Sequence, residues 1–528
     1  MFVKVTKSKK HEYLQLVESY RDRNDKDKVK HKVLLHLGRV DQVEKQSLLN
    51  VATKFFELAG SKVDSSTNSY SEAEPLNWGY VIYKKLWNKF KLDEVLQQIQ
   101  DGGKSTFDLN NACFLMVLQH LLSPGSKLNA HKKQHRYANL PTVELNHLYR
   151  ALDILYKNKE TLEAKAYETN CRLFKMQVDL VFYDVTTFHF ESVHKDGLRD
   201  FGFSKNNKIN EVQVVLGMFI DCDGRPIGYE LFPGNTFDGK TLEKALNNMK
   251  KRFGIRNVII VADRGINSKL NLKSIVDNGY KYIVASRIKN LRKEIQEEIF
   301  NPGGYQAIAD ENGGIRYKII DHLNIFKDGK STIKLPEKLI ITYSAKRAEK
   351  DKADRQRLLE KAEHLLANQS LIKAMGDTNW ALDEAALLKD QRFDGYYGIQ
   401  TSDTNLDVEE ILAAYHTLWK IEESFRVMKS TLEVRPIFHW TENRIKGHFV
   451  ICFLAFLLER TLEFVLKSSN IHASSNEIRE ALNAMQVMVM EVNQQKTYIK
   501  TKNTELESDI LHALKITPPK NASAILSL

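Results

Sequence analysis

Three carboxylates are set apart by their surroundings. Asp184 lies in the middle of "VFYDVTTFHF", an acid among aromatic and β-branched residues, where burial is costly unless the group is paired or bound to a metal. Asp263 closes "NVIIVADRG", at the carboxyl end of a buried-type strand, the edge of an open α/β sheet where sites form. Glu422 belongs to "LWKIEESFRVMK", which has no Gly or Pro and reads as helix. Leu418, Ile421, Phe425, Met428 and Leu432 make its apolar stripe. Displaced by about 100° runs a second stripe of Tyr415, Trp419, Glu422, Arg426 and Lys429. Each acid has an ordinary reading. An Asp at a strand end is a turn residue or a helix N-cap, and Glu422 with Arg426 is an i,i+4 pair worth roughly 0.3–0.5 kcal/mol. Together they suggest more. Two strands of one sheet and a helix that follows directly after the sheet resumes can bring three carboxylates to one point. A hard divalent cation takes oxygen ligands, and two such ions about 4 Å apart clamp an in-line phosphoryl displacement.

The elements that must position these acids follow from the period of the pattern. From about residue 178, "VDLVFYDVTTFHF", "EVQVVLGMFID" and "IGYELFPG" read as three antiparallel strands. "KTLEKALNNMKKRFG" is a helix with a C-capping Gly, "NVIIVADRG" a strand, "SKLNLKSIVDNG" a helix and "KYIVASR" a strand. That order describes a mixed α/β core over residues 176–287. Residues 288–393 interrupt it with Gly-rich turns, a hairpin at Asp328-Gly329, the strand "KLIITYS" and one long charged helix, a β-rich insertion before the third acid. The core resumes over 394–470, and 471–528 reads as a helical tail. Ahead of the core, 1–60 is a basic β/α segment with eight lysines in its first 32 residues, and 61–175 is mainly helical. The basic stretch "KLNAHKKQHR" could belong to a helical DNA-binding module, though no helix-turn-helix register stands out.

Composition narrows the class. With 528 residues, 42% hydrophobic and 27% charged, the chain suits a soluble globular protein of more than one domain. A net charge of +11 permits a polyanionic partner. The four cysteines show no CxxC or Cys–His spacing, which argues against structural zinc or a disulfide framework and for a reducing compartment. The longest apolar run, 449–458, is too short to span a bilayer, and the first residues lack the apolar core of a signal peptide. A cytoplasmic protein with no membrane contact is expected.

"YDVTTF", "VADRGI" and "YHTLWKIEESFRVMK" resemble the three catalytic blocks of bacterial insertion-sequence transposases of the DDE class. The resemblance extends to "PGNTFDGKTL", "ITYSAKRAEKDKADR" and "RPIFHWTENRIKGHFVICFLAFLL", and so covers most of 178–460. It implies a ribonuclease-H-like mixed sheet, with Asp184, Asp263 and Glu422 as catalytic and metal-binding residues for two Mg2+ ions, Mn2+ substituting. It also implies cleavage of element ends and their joining to target DNA. Double-stranded DNA would be the partner, and a homodimer the active form. Tyr415, Glu422 and Lys429 stand at the spacing of the family's Tyr-Arg-Glu-Lys signature, but Leu418 fills the place of its Arg. Lys420 and Arg426 are the nearest cations to replace it, while Leu418 itself is expected to pack inward. Tyr415, Lys429, Arg426 and Arg264 are the expected DNA contacts. Arg426 could instead hold Glu422, and Arg264 could be part of a structural ion pair. Two rivals share these features: a metal-dependent nuclease on the same fold, and a DNA-binding descendant without activity.

Overall fold

The structure, a computed structural model, describes residues 2–8, 11–22, 28–40, 52, 75–176, 178–202, 211–237, 240–255, 258–308, 314–367, 384–492, 495–523 and 526. The chain divides into two compact units. One gathers Met1–Pro75, Val487–Thr501 and Pro519–Ser527. In it β1 (Phe2–Ser8), β2 (His11–Asp22) and β3 (Lys28–Arg39) form an antiparallel sheet in that order. Alternating Val and Lys or His in "KVKHKV" is the period-2 pattern of a strand with two unlike faces. The helical part expected before residue 60 lies outside the described residues, apart from Ala52. Val487–Val492 and Gln495–Lys500 pair antiparallel in the same unit, within what the sequence suggested was a helical tail. The alternation in "QVMVMEV" is the strand signal there.

The second unit, Leu76–Gln486 with Lys502–Pro518, holds all three acids. It opens with helices α1 (Val81–Lys89), α2 (Leu92–Asp101), α3 (Leu109–Leu122), α4 (Lys127–Lys133), α5 (Leu145–Lys157) and α6 (Lys159–Leu173). Next come β4 (Leu180–His189), β5 (Gln213–Ile220), β6 (Pro226–Pro233), α7 (Leu242–Phe253), β7 (Ile259–Ala262), α8 (Lys269–Asp277) and β8 (Lys281–Ala285). In the sheet the strands lie in the order β6-β5-β4-β7-β8, with β4–β5–β6 antiparallel and β4–β7–β8 parallel. Three antiparallel strands followed by two parallel crossovers make the ribonuclease-H-like mixed sheet that the sequence led us to expect. Gly217 of β5 is needed where the Tyr183 ring of β4 crosses it, because a Cβ there would lie 2.3 Å from the Tyr183 hydroxyl.

The span expected as an insertion continues this sheet. Following α9 (Lys293–Phe300), β9 (Arg316–Asp328) and β10 (Ser331–Tyr343) form a long hairpin closed by Gly329 at φ +57°. The charged helix α10 (Ala345–Ala367) and the short α11 (Glu384–Gln391) precede β11 (Tyr396–Thr401). Strand β11 pairs with β10 on one side and β8 on the other, so the hairpin extends the catalytic sheet instead of forming a layer of its own.

The rest of the chain covers the sheet. Helices α7 and α8 bury one face, with Val181, Tyr183, Ile260 and Ala262 in a core shared with Leu246 and Leu272. Further elements are α12 (Val408–His416), α13 (Trp419–Arg426), a π turn at Val427–Thr431, α14 (Glu442–Ser468), α15 (Ser475–Ala484) and α16 (Glu505–Ala513). Most of α14 is buried, because α1, α3 and α5 pack around it and it lies against β6. Where α5 crosses α14, a Cβ on Gly447 would sit 2.1 Å from the Leu152 carbonyl oxygen, so only Gly allows that approach. Helix α3, apolar on all sides, is buried on all sides. The helices expected as a DNA-end-binding region have therefore given their apolar faces to the catalytic unit. Among the described residues no helix is long and apolar enough to cross a membrane.

Candidate active site

Side chains alternate along a strand, and that alternation sets the first two acids. Tyr183 of β4 and Ala262 of β7 are register partners in a parallel pair, and both point into the α7/α8 core. The next position on each strand is Asp184 and Asp263, so the two carboxylates stand side by side and leave from the opposite face. Asp184 is half-buried, while Asp263, just past the end of its strand, is exposed.

Helix α13 packs against β4 on that opposite face. Ile421, Ser424 and Phe425 are its buried side, and Glu422 is exposed at the rim. Contacts seven residues to either side bracket Glu422 along the chain. The Tyr415 hydroxyl, on α12, lies 3.4 Å from Asp263 Oδ1 and donates to it. The Lys429 ammonium donates to Thr186 Oγ1 at 2.5 Å and lies 5.6 Å from the centre of the Phe188 ring. Thr186 is two residues past Asp184 and so shares its face. In sequence, Glu422 lies midway between a residue touching one aspartate and a residue touching the other's strand.

The stripe is not one continuous α-helix. It breaks at Thr417–Leu418, between α12 and α13, and widens into the π turn that carries Lys429. Leu418 is 8% exposed, packed inward as expected. Neither cation considered as a substitute for the signature Arg reaches the acids through its recorded contacts. Lys420 donates to the Cys222 carbonyl at the β5–β6 turn, opposite the Glu422 side of α13. Arg426 is largely exposed, and its ion-pair partner among the described residues is Glu423 at 3.9 Å, not Glu422. Arg264 is exposed and lines a cleft of about 580 Å3 with Arg287, Lys289, Arg347 and Tyr397.

Two contributors escaped the sequence reading. Tyr397 of β11 lies 2.6 Å, hydroxyl to hydroxyl, from Tyr415, so Tyr397 donates to Tyr415 and Tyr415 to Asp263. Burial raises the pKa of both phenols, and for Tyr415 the neighbouring Tyr397 and Asp263 raise it further, which keeps the donor protonated. The available signal was the pair Tyr396-Tyr397, one ring for each face of a strand; Tyr396 packs on Phe300 on the other side. Thr186 could have been found by the same period-2 count from Asp184.

The donor set suits a hard divalent cation, since it offers carboxylate oxygens on an open rim. Among the described residues, the three carboxylates do not gather as tightly as a His–Cys cluster elsewhere, whose ligand atoms all lie within 4.8 Å of one another.

Comparison with known proteins points the same way. Residues 177–458, more than half of the chain, match the transposase DDE domain family, and residues 3–62 match the IS1634 family transposase N-terminal domain. A piggyBac transposase solved by cryo-EM as a synaptic complex with hairpin DNA is similar at 10% identity and a TM-score of 0.38, covering 78% of this chain and 82% of that one. No curated protein matches the chain. The match across the sheet, the acids and the Glu422 helix shows that this chain belongs to the DDE transposase family.

Proposed function

We propose that Asp184, Asp263 and Glu422 form a two-metal site that cleaves the ends of a mobile element and joins their 3′-hydroxyls to target DNA. The observation that supports this reading is the strand register that sets Asp184 and Asp263 next after the paired Tyr183 and Ala262, with Glu422 bracketed in sequence by the Tyr415–Asp263 and Lys429–Thr186 contacts. Two Mg2+ ions, with Mn2+ as a substitute, would there activate the attacking oxygen and stabilise the leaving one. The chain's own residues prepare the site. Tyr415, backed by Tyr397, holds the Asp263 carboxylate in place. Lys429, steadied by Thr186, sets a cation at the rim where a phosphate would lie. Exposed Arg264 beside Asp263 offers a contact for the backbone, and exposed Arg426 a further one.

End recognition falls to the first 175 residues. Their exposed basic groups include Lys132, Lys133 and Arg136 at the end of α4 and after it. The test is a purified-protein assay with labelled ends of the element that encodes the chain, Mg2+ and a plasmid target. Asp184→Ala, Asp263→Ala and Glu422→Ala should each abolish cleavage while end binding persists, and the wild-type product should be joined DNA. Free ends alone would make the protein a nuclease. Cleavage by Glu422→Ala would remove Glu422 from the site.

A further inference from the structure

Directly after the π turn, the backbone from Thr431 to Val434 is gripped from three helices. His120 Nδ1, on α3, lies 2.9 Å from the Leu432 carbonyl oxygen. His448 Nε2, on α14, lies 3.1 Å from that of Val434. The Arg479 guanidinium, on α15, donates to the Thr431 carbonyl and, through Nε, to that of Leu121 at 2.8 Å. The same segment is tied back to the π turn. The Leu432 amide donates to the Val427 carbonyl at 2.9 Å, and the Val434 amide to that of Met428 at 3.1 Å.

The protonation pattern of the clamp follows from its donors. Lys127, itself buried, lies 3.1 Å from His120 Nε2. An ammonium only donates, so Nε2 accepts and the His120 proton sits on Nδ1, facing Leu432. Burial holds His120 neutral, its pKa pushed down to about 3, while Lys127 is pushed down to about 8 and stays an ammonium at neutral pH. In His448 the atom facing Val434 must be the N–H, which leaves Nδ1 as the unprotonated nitrogen, buried with no hydrogen-bond partner. His120, His448 and Cys452 also gather their ligand atoms within 4.8 Å of one another, a donor set that would suit a soft metal. The hydrogen bonds argue against that use. His120 Nε2 is taken by an ammonium and His448 Nε2 by a carbonyl, and an added cation would sit against Lys127.

We propose that His120 and His448, with Lys127 fixing the tautomer of His120, are positioning residues for the cleavage chemistry of the Glu422 site. By holding Leu432 and Val434 they fix the π turn, and through it the placement of Lys429 against Thr186 and of Glu422 beside the aspartates. This rests on the assignment of Glu422 and Lys429 to the active site. The carbonyls they hold lie two to five residues along the chain from Lys429, and none of these side chains has a recorded contact with the acids.

The test compares a variant that keeps the donor with one that removes it. In His120→Asn the amide N–H replaces Nδ1–H, and end cleavage should stay within about 3-fold of wild type; His120→Leu removes the donor and should slow cleavage about 10- to 100-fold, as a misplacement near 1 Å does. His448→Gln and His448→Leu repeat the comparison at Nε2 and carry the test if His120→Leu does not fold by circular dichroism. A clamp that acts through Lys429 also predicts non-additivity: Lys429→Ala combined with the leucine variant should be no slower than the slower single variant, within about 3-fold. Equal loss in the donor-keeping and donor-lacking variants would overturn the proposal, as would multiplying losses in the double variant. If Asp184→Ala still cleaves, the active-site reading fails first. If it is dead while His120→Leu and His448→Leu, both folded, cleave at the wild-type rate, only the clamp is wrong.

Discussion

Replacing His120 with Asn should make the fold less sensitive to acid, by an amount set by the burial of the imidazole. In the folded chain His120 is fully enclosed and faces Lys127, His439, Arg479 and Cys452, with the Leu432 carbonyl as its hydrogen-bond acceptor. Burial first, then the neighbouring cations, push its pKa from 6.5 down to about 3. A folded-state pKa below the unfolded one means that the unfolded chain takes up the proton first. Stability from this residue is complete above pH 6.5 and is lost as pH falls toward 3. Each pH unit in that window is worth about 1.4 kcal/mol, so between pH 7.5 and pH 4.5 His120 alone costs about 3 kcal/mol. That is a large share of the roughly 5–15 kcal/mol by which domains are stable. Glu459, pushed up to about 7, works in the opposite direction, and His439, down to about 3, and His448, held well below its ordinary value by burial, work in the same one. All are present in either protein and cancel in the comparison. Urea unfolding can be followed by the fluorescence of Trp78 and Trp87, which are fully buried in the same unit. The variant should lose about 3 kcal/mol less than wild type over that pH range. Equal losses in the two proteins would show that His120 is protonated, or reached by water, in the native fold, and the tautomer argument would fall with it.

Further outcomes follow from the same geometry. Leu418→Arg puts a guanidinium where a side chain is 8% exposed, and should destabilise the unit by more than about 2 kcal/mol in chemical unfolding; normal stability with tighter DNA binding would mean the phase of α13 is misjudged. Lys429→Ala should reduce the slope of log affinity against log salt by about one unit on any DNA sequence, measured by fluorescence anisotropy; an unchanged slope would remove Lys429 from phosphate contact.

Much of the fold was legible because its signals are local. The three β-branched runs, then helix, strand, helix and strand, are visible as changes of period punctuated by Gly, and they become the β4–β8 order of the sheet. The place of the 288–393 span was not legible as a continuation of that sheet. The pairing of β11 with β8 joins residues more than a hundred positions apart, and no local period records it. At the site, the residue types of Asp184, Asp263 and Glu422 drew attention because acids in apolar runs are costly. Thr186 and Tyr397 are ordinary strand residues, and only the fold brings one to Lys429 and the other to Tyr415. The break at Thr417 and the π turn after Arg426 escaped detection because "TLWKIEESFRVMKST" contains neither Gly nor Pro.

The enclosure of α14 by α1, α3 and α5 also constrains how this enzyme comes into being on the ribosome. The helices that wrap it emerge some three hundred residues earlier, and although they also pack on one another, the apolar faces they turn to α14 have no native cover until residues 442–468 have been made. Contacts that distant in sequence are slow to form, and chains waiting for them expose surface that aggregates or recruits chaperones. A polypeptide that stops short of α14 would carry both aspartates and Glu422 yet lack the rod around which the helical half assembles. Premature termination would therefore yield unfolded protein, not a smaller enzyme that cuts without control.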